Sequence, residues 1–283
     1  GARAGCQVVL SQAVGAAGSS TEAGADASLA AGMSPRLRSL ACADSAAAWA
    51  RAGFALGGHA RNEVVLGPLR IVLAGKDREG GAAPRPDVSG LTGWVWEELP
   101  DATQRLAGIP TATVPAGAAD GQAPLQQPGH PNGIVGVDHV VLRTSDLAAT
   151  KAAFAQAGIE ARREAVDLRP GVTQVFYRPA NETIIEVVGP TPGAAAGTGA
   201  ASFFGDLSKS SGRARESTAS LWGITFVSDD LEATHRYFGD HISKIRKAKQ
   251  EGRQIATLRG AELGISTAVA IMSPHQRIPS ASL

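Results

Sequence analysis

From Arg36 onward, apolar positions recur with period two in short runs separated by turns that carry glycine or proline. Such a pattern predicts strands broken by a few helices. Leu37–Cys42 alternates weakly, and Asp44 or Ser45 is placed to cap a helix over Ala46–Ala50 that Gly53 ends. Asn62–Leu66 and Leu69–Leu73 read as two strands across a Gly67-Pro68 turn. Leu91–Glu97 reads as another strand, Pro100–Leu106 as a short helix, and Pro110–Pro115 as an extended stretch. The clearest patterning begins at Ile134. A strand over Val135–Arg143 is followed by a helix capped at Ser145 or Asp146 and ended by Gly158. Strands then follow over Glu160–Val166, Val172–Arg178 and Thr183–Val188. The text from Leu221 repeats this order: a strand to Val227, a helix capped at Asp229 or Asp230, and strands over Gln254–Leu258 and Ser266–Met272.

Laying Ile134–Pro190 over Leu221–Pro274 exposes an internal duplication. Asp146-Leu147-Ala148-Ala149-Thr150 falls on Asp230-Leu231-Glu232-Ala233-Thr234, Phe154 on Phe238 and Pro190 on Pro274. A repeat of this length is one supersecondary unit that needs a neighbour to bury its apolar face. Each copy is a βαβββ module with an open edge, and two such modules can pair edge to edge and curl into a cup. A more worn copy lies upstream. Ala52-Gly53-Phe54 parallels Ala157-Gly158-Ile159, and Leu91-Thr92-Gly93-Trp94-Val95-Trp96 parallels Leu221-Trp222-Gly223-Ile224-Thr225-Phe226. The expected fold is therefore α+β, built of paired βαβββ modules, two pairs in all, with the N-terminal pair degenerate. The expected divisions are a disordered segment over 1–33, a degenerate domain over 34–115, a linker over 116–133, the principal domain over 134–276 and a tail over 277–283. Within the principal domain, Pro190–Ser220 is a soft segment whose basic residues, Lys209, Arg213 and Arg215, read as a solvated surface.

Composition narrows the function classes. The 283 residues suit two domains of ordinary size, and 43% hydrophobic content is ample for their cores. A formal net charge of +1 gives no field for nucleic acid or an anionic membrane. Neither partner is expected, and no apolar run reaches the roughly 18 residues of a membrane span. Cys6 and Cys42 stand in unrelated contexts, which suits a reducing, cytoplasmic setting. No Gly-x-Gly-x-x-Gly follows a strand, and there is no nucleophile elbow or Walker loop.

Two strands carry the candidate chemistry. His139 lies in Val137-Asp138-His139-Val140-Val141-Leu142, and Glu186 lies in Thr183-Ile184-Ile185-Glu186-Val187-Val188. An imidazole and a carboxylate on neighbouring strands can face one hollow and offer nitrogen and oxygen to a divalent ion. They can equally line a metal-free ligand cup. Tyr177, on a strand between them in sequence, can donate a phenolic hydrogen bond or simply pack.

The βαβββ repeat, the opening DHVVLRTSDLAATKAAF of Asp138–Phe154 and the closing ETIIEVVGP of Glu182–Pro190 resemble the vicinal oxygen chelate superfamily. That group includes glyoxalase I, extradiol dioxygenases, methylmalonyl-CoA epimerase, fosfomycin-modifying enzymes and bleomycin-resistance proteins. The resemblance covers about 134–274 and is faint over 36–115. It implies metal ligands on the first and last strands of each paired module, which are His139 and Glu186 in one module. Gly223 and Ala270 occupy the matching positions of the other, and Gly93 and roughly Val72 those of the N-terminal pair. These four cannot ligate. A third ligand would have to come from His130, His235, another domain or another subunit. The resemblance thus implies a glyoxalase-like protein in one of two forms, or else a structural or regulatory module whose repeat has lost its site. The first is a metal-dependent lyase, isomerase or dioxygenase acting on a small oxygenated substrate, with Glu186 and Tyr177 as catalytic groups and His139 and Glu186 on the metal. The second is a metal-free protein of the drug-sequestering kind. A small-molecule ligand is expected in both, and a homodimer is left open.

Overall fold

A computed structural model describes residues 34–58, 60–76, 89–100, 103–115, 117, 129–167, 171–191, 193 and 219–275. The expected disordered segment up to residue 33, the basic residues of the soft segment and the tail from 277 lie outside the described residues. So does most of the linker.

The first sheet is built from β1 (Arg36–Ser45), β2 (Glu63–Leu66), β3 (Leu69–Gly75), β4 (Leu91–Glu97), β5 (Arg105–Leu106) and β6 (Ile109–Val114), in the order β2-β3-β1-β4-β6-β5. Helix α1 (Ala46–Arg51) follows β1, and Ser45 caps it by accepting from the Ala48 amide. The second sheet contains β7 (Ile134–Thr144), β8 (Ala161–Val166), β9 (Val172–Tyr177), β10 (Ile184–Pro190), β11 (Ala219–Ser228), β12 (Arg246–Lys247), β13 (Gln254–Thr257) and β14 (Ala268–Met272). Its order is β12-β13-β14-β11-β7-β10-β9-β8. Helix α2 (Leu147–Gln156) follows β7 and helix α3 (Leu231–Phe238) follows β11. Asp146 and Asp230 cap them through equivalent bonds to the Ala149 and Ala233 amides. The duplication read in the sequence is therefore a duplication of structure.

Both sheets obey one pairing rule. The first strand of a module runs parallel to its last strand and antiparallel to the first strand of the partner module. This holds for β7 with β10 and β11, and for β1 with β3 and β4. Matching β-bulges mark the central pairs. In β7 the extra residue is Asp138 and in β11 it is Trp222, while in β1 it is Arg38 and in β4 it is Thr92. A bulge turns the strand and re-aims one side chain.

Two differences from the expected elements have simple causes. Pro100–Leu106 is not a helix. Arg105–Leu106 pairs antiparallel with β6 across a turn at Ala107-Gly108, both at positive φ, where glycine is at ease and the chain reverses tightly. Arg246–Lys247, too short and too basic to show a period, adds an edge strand against β13.

One contiguous core joins the two sheets. Trp49 and Phe54 of the first half pack on Phe226 of β11, with ring centroids 6.2 and 5.3 Å apart, and Trp94 meets Phe154 of α2 at 6.2 Å. The buried Asp44 carboxylate stitches the same seam. It accepts from the Ser266 and Thr267 amides at 2.8 and 3.3 Å, from both of their hydroxyls, and from the Trp49 indole at 3.3 Å. Beside it, burial and then the Asp44 charge push the Cys42 thiol up to about 12. The last residues of the expected linker are part of this seam as well. Asn132 donates to the Ala52 carbonyl at 2.9 Å, and the Asn132 carbonyl accepts from the Thr234 hydroxyl at 2.8 Å.

Candidate functional site

Directly paired residues in a sheet share a face. In the β7–β10 pair His139 sits beside Ile184 and Val141 beside Glu186, so His139, Val141, Glu186 and Val188 all point to one side. The alternate residues Val140, Leu142, Ile185 and Val187 point into the core. The side away from the core is concave. It holds a cavity of about 280 Å³ with walls from Val141, Val188, Ile255 and the two alanines Ala268 and Ala270. His139, Glu186, Thr225 and Thr257 supply its polar lining, and Trp222 and Arg246 complete it.

His139 Nε2 lies 3.3 Å from Glu186 Oε2. The other ring nitrogen, Nδ1, lies 2.7 Å from Asp138 Oδ2. Asp138 and His139 are sequence neighbours, which an even strand would send to opposite faces. The bulge at Asp138 brings them together. Burial alone would raise the Asp138 carboxyl. The bonds and charges of His139 and Arg253 outweigh it and hold the group below the ordinary carboxylate value. An ionised Asp138 can only accept, so Nδ1 carries the proton of that bond. The contact between Nε2 and Glu186 is then attractive only when one of those two atoms also holds a proton.

The chain of polar groups continues at both ends. Arg253, with 1% of its side chain exposed, meets Asp138 at 2.6 Å and donates to the Ser273 carbonyl at 2.8 Å. Gln174 of β9 donates to Glu186 and accepts from Lys249, whose ammonium also binds Asp167 at 2.6 Å. Lys249 and Arg253 both lie between the start of β12 and β13, at the opposite end of the sheet order from Asp167 and Gln174. The hairpin therefore reaches across the cup and ties its two ends together.

His139 and Glu186 are brought together as expected, and Gly223 and Ala270 lie in the same cavity across from them. A Cβ on Gly223 would come within 2.6 Å of the Ala268 carbonyl oxygen, so that position excludes a ligating side chain sterically as well as chemically. Tyr177 is a correction. It pairs with Ile185, on the core face, and its ring stacks on Phe154 at 4.5 Å, so it points away from the cavity. Burial and then the Glu164 charge push its phenol up to about 12. Neither proposed third ligand reaches the site. His130 is buried in the seam, where Nδ1 accepts from the Ala55 amide at 3.0 Å. Burial, only partly opposed by the Val65 backbone, holds its imidazole below the ordinary value. His235 lies on α3, which packs Leu231, Thr234 and Phe238 against the opposite face.

Among the described residues, no three His, Cys, Asp or Glu side chains are grouped to hold a metal ion. Catalytic divalent sites ordinarily take three protein ligands. One imidazole and one carboxylate oxygen, with Glu186 Oε1 already engaged by Gln174, do not by themselves meet that need.

No protein-family model matches the chain, and no curated protein matches it. Solved structures do. A mutant of 4-hydroxymandelate synthase from Streptomyces coelicolor superposes with a TM-score of 0.53 at 13% identity, covering 84% of this chain and 92% of that one. Methylmalonyl-CoA epimerase from Mycobacterium tuberculosis matches 53% of this chain and 94% of its own at 15% identity, with a TM-score of 0.39. The chain has the fold of the vicinal oxygen chelate proteins, with mixed sheets built of βαβββ-type modules. No helix among the described residues is long and apolar enough to cross a membrane.

Proposed function

We propose that this protein takes a small, mainly apolar molecule into the cavity of the second sheet and moves a proton on it, using His139 and Glu186 as an acid–base pair. That is chemistry of the lyase or isomerase kind, with no dependence on a resident metal. One observation carries the proposal: an imidazole held between two carboxylates, one of which faces an aliphatic cavity. Asp138 orients the ring and supports its charged form, leaving Nε2 and Glu186 to exchange a proton with the ligand. Apolar walls keep water from competing for that proton. A second reading, binding without turnover, is favoured by the blank positions Gly223 and Ala270, which leave half of the cup without a reactive group.

A direct test is deuterium wash-in at C–H bonds next to a carbonyl, followed by NMR in D2O over a panel of small ketones, esters and oxo acids. Probes that stabilise the protein thermally are taken first, because ligands of the native state raise its melting temperature. Exchange in the wild type that is lost in Glu186→Gln and His139→Ala supports proton transfer. Binding without exchange leaves the second reading, and metal analysis of protein purified without chelator checks the independence from metal.

A further inference from the structure

We infer that the ligand is an amphipathic carboxylate whose charged end rests on Arg246 at the cavity mouth while its apolar body lies among Val141, Val188 and Ile255. The inference builds on the reading of this cavity as a ligand site and names what occupies it.

Strand parity supplies the first argument. Arg246 pairs with Ile255 and Lys247 with Gln254, so within this two-residue strand one cation is turned to the cavity and the next is turned away. Arg246 and Ile255 both line the cavity, whereas Lys247 and Gln254 do not. Both basic residues are exposed, so Arg246 stands where the cavity meets solvent. Its guanidinium has no hydrogen-bond or ion-pair partner among the described residues.

Charge placement supplies the second. The cavity lining holds the buried Glu186 carboxylate, which repels an anionic group, and the exposed Arg246 guanidinium, which attracts one. A ligand with one negative end is thus oriented one way only, apolar body inward. Trp222, the bulge residue of β11, is 41% exposed and lines the cavity, and the Arg143 guanidinium lies 4.5 Å above its ring centroid. A flat aromatic surface there gives the apolar body a further contact. The planar guanidinium fork of Arg246 matches a carboxylate in two parallel bonds.

Matched acids and amides test the inference. Hexanoate with hexanamide, and 3-phenylpropanoate with 3-phenylpropanamide, are titrated into the full chain at neutral pH by calorimetry. Each acid is expected to bind about threefold to tenfold more tightly than its amide, as suits a solvent-edge charge pair. Arg246→Gln should erase that preference. Lys247→Gln, the same charge change on the opposite face of the strand, should keep it. Equal binding of acid and amide by the wild type overturns the inference and leaves the cavity reading standing. Equal loss of preference in both variants also overturns it, since a general field would then suffice. Absence of binding by all four probes overturns the cavity reading itself and this inference with it.

Discussion

The two sheets repeat one backbone plan and carry opposite chemistry. Bulges at Arg38 and Thr92 in the first correspond to those at Asp138 and Trp222 in the second. The strand positions that hold His139, Glu186, Gly223 and Ala270 in the second sheet hold Ser39, Val72, Gly93 and Ala112 in the first. At the bulge, Asp138 orients an imidazole, whereas Arg38 closes an ion pair with Glu97 on its own sheet. The scaffold of a site is therefore repeated four times and its donors are present once. What separates the regions is which side chains sit on a shared geometry.

The sharpest way to break this comparison is to disturb the supports of each sheet and read the stability. Arg253→Ala should cost about 3–5 kcal/mol, because it leaves the buried Asp138 carboxylate without its cation and with His139 alone for a partner. Trp49→Ala, on the first sheet's side of the core, should cost a similar ~3–5 kcal/mol by opening a cavity. Both are read from denaturant midpoints. If Trp49→Ala proves mild, the first sheet is not a structural support. Asp44→Ala should cost about 3 kcal/mol, since it strands buried donors from Ser266, Thr267 and Trp49. His139→Ala should cost about 1–2 kcal/mol, since it removes a ring that is only 13% exposed and that bonds the buried Asp138, and it should abolish the deuterium exchange.

The mildest effect is in pH. The His130 imidazole is held below its ordinary value, so the unfolded chain takes up a proton more readily than the folded one. The stability this contributes is complete above about pH 6.5, the ordinary histidine value, and is lost as pH falls through the folded value. His130→Gln should flatten the midpoint against pH in that window. Asp138 adds a second loss of the same sign below about pH 4, again because its folded value is depressed. An unchanged profile in His130→Gln would show that the seam does not hold that ring neutral.

Much of this arrangement was legible in the residues. The duplicated modules follow from period-two strands and aspartate caps, and the pairing of His139 with Glu186 follows from matching first and last strands. The rest depends on geometry that period-two counting does not carry. Asp138 reaches His139 only through a bulge, and an unbulged strand sends it to the other face. The DH dipeptide aligned with Trp222-Gly223 was the available signal. Which of its two open roles Tyr177 takes depends on register with β10, which a lone strand does not reveal. Arg253, Lys249 and Gln174 enter through a hairpin crossing the cup, a contact between segments distant in sequence. The two-residue strand at Arg246 is too short and too basic to show any period.

The shared core has a consequence for how this protein can be divided. Because Trp49, Phe54 and Asp44 are lodged against β11 and the start of β14, the half that bears the donors has no finished outer surface of its own. Cutting the chain near residue 130 would leave its aromatic back bare, a sticky slab prone to clump. The first sheet is the cover of that back, and any engineered transplant of the cup has to carry it along.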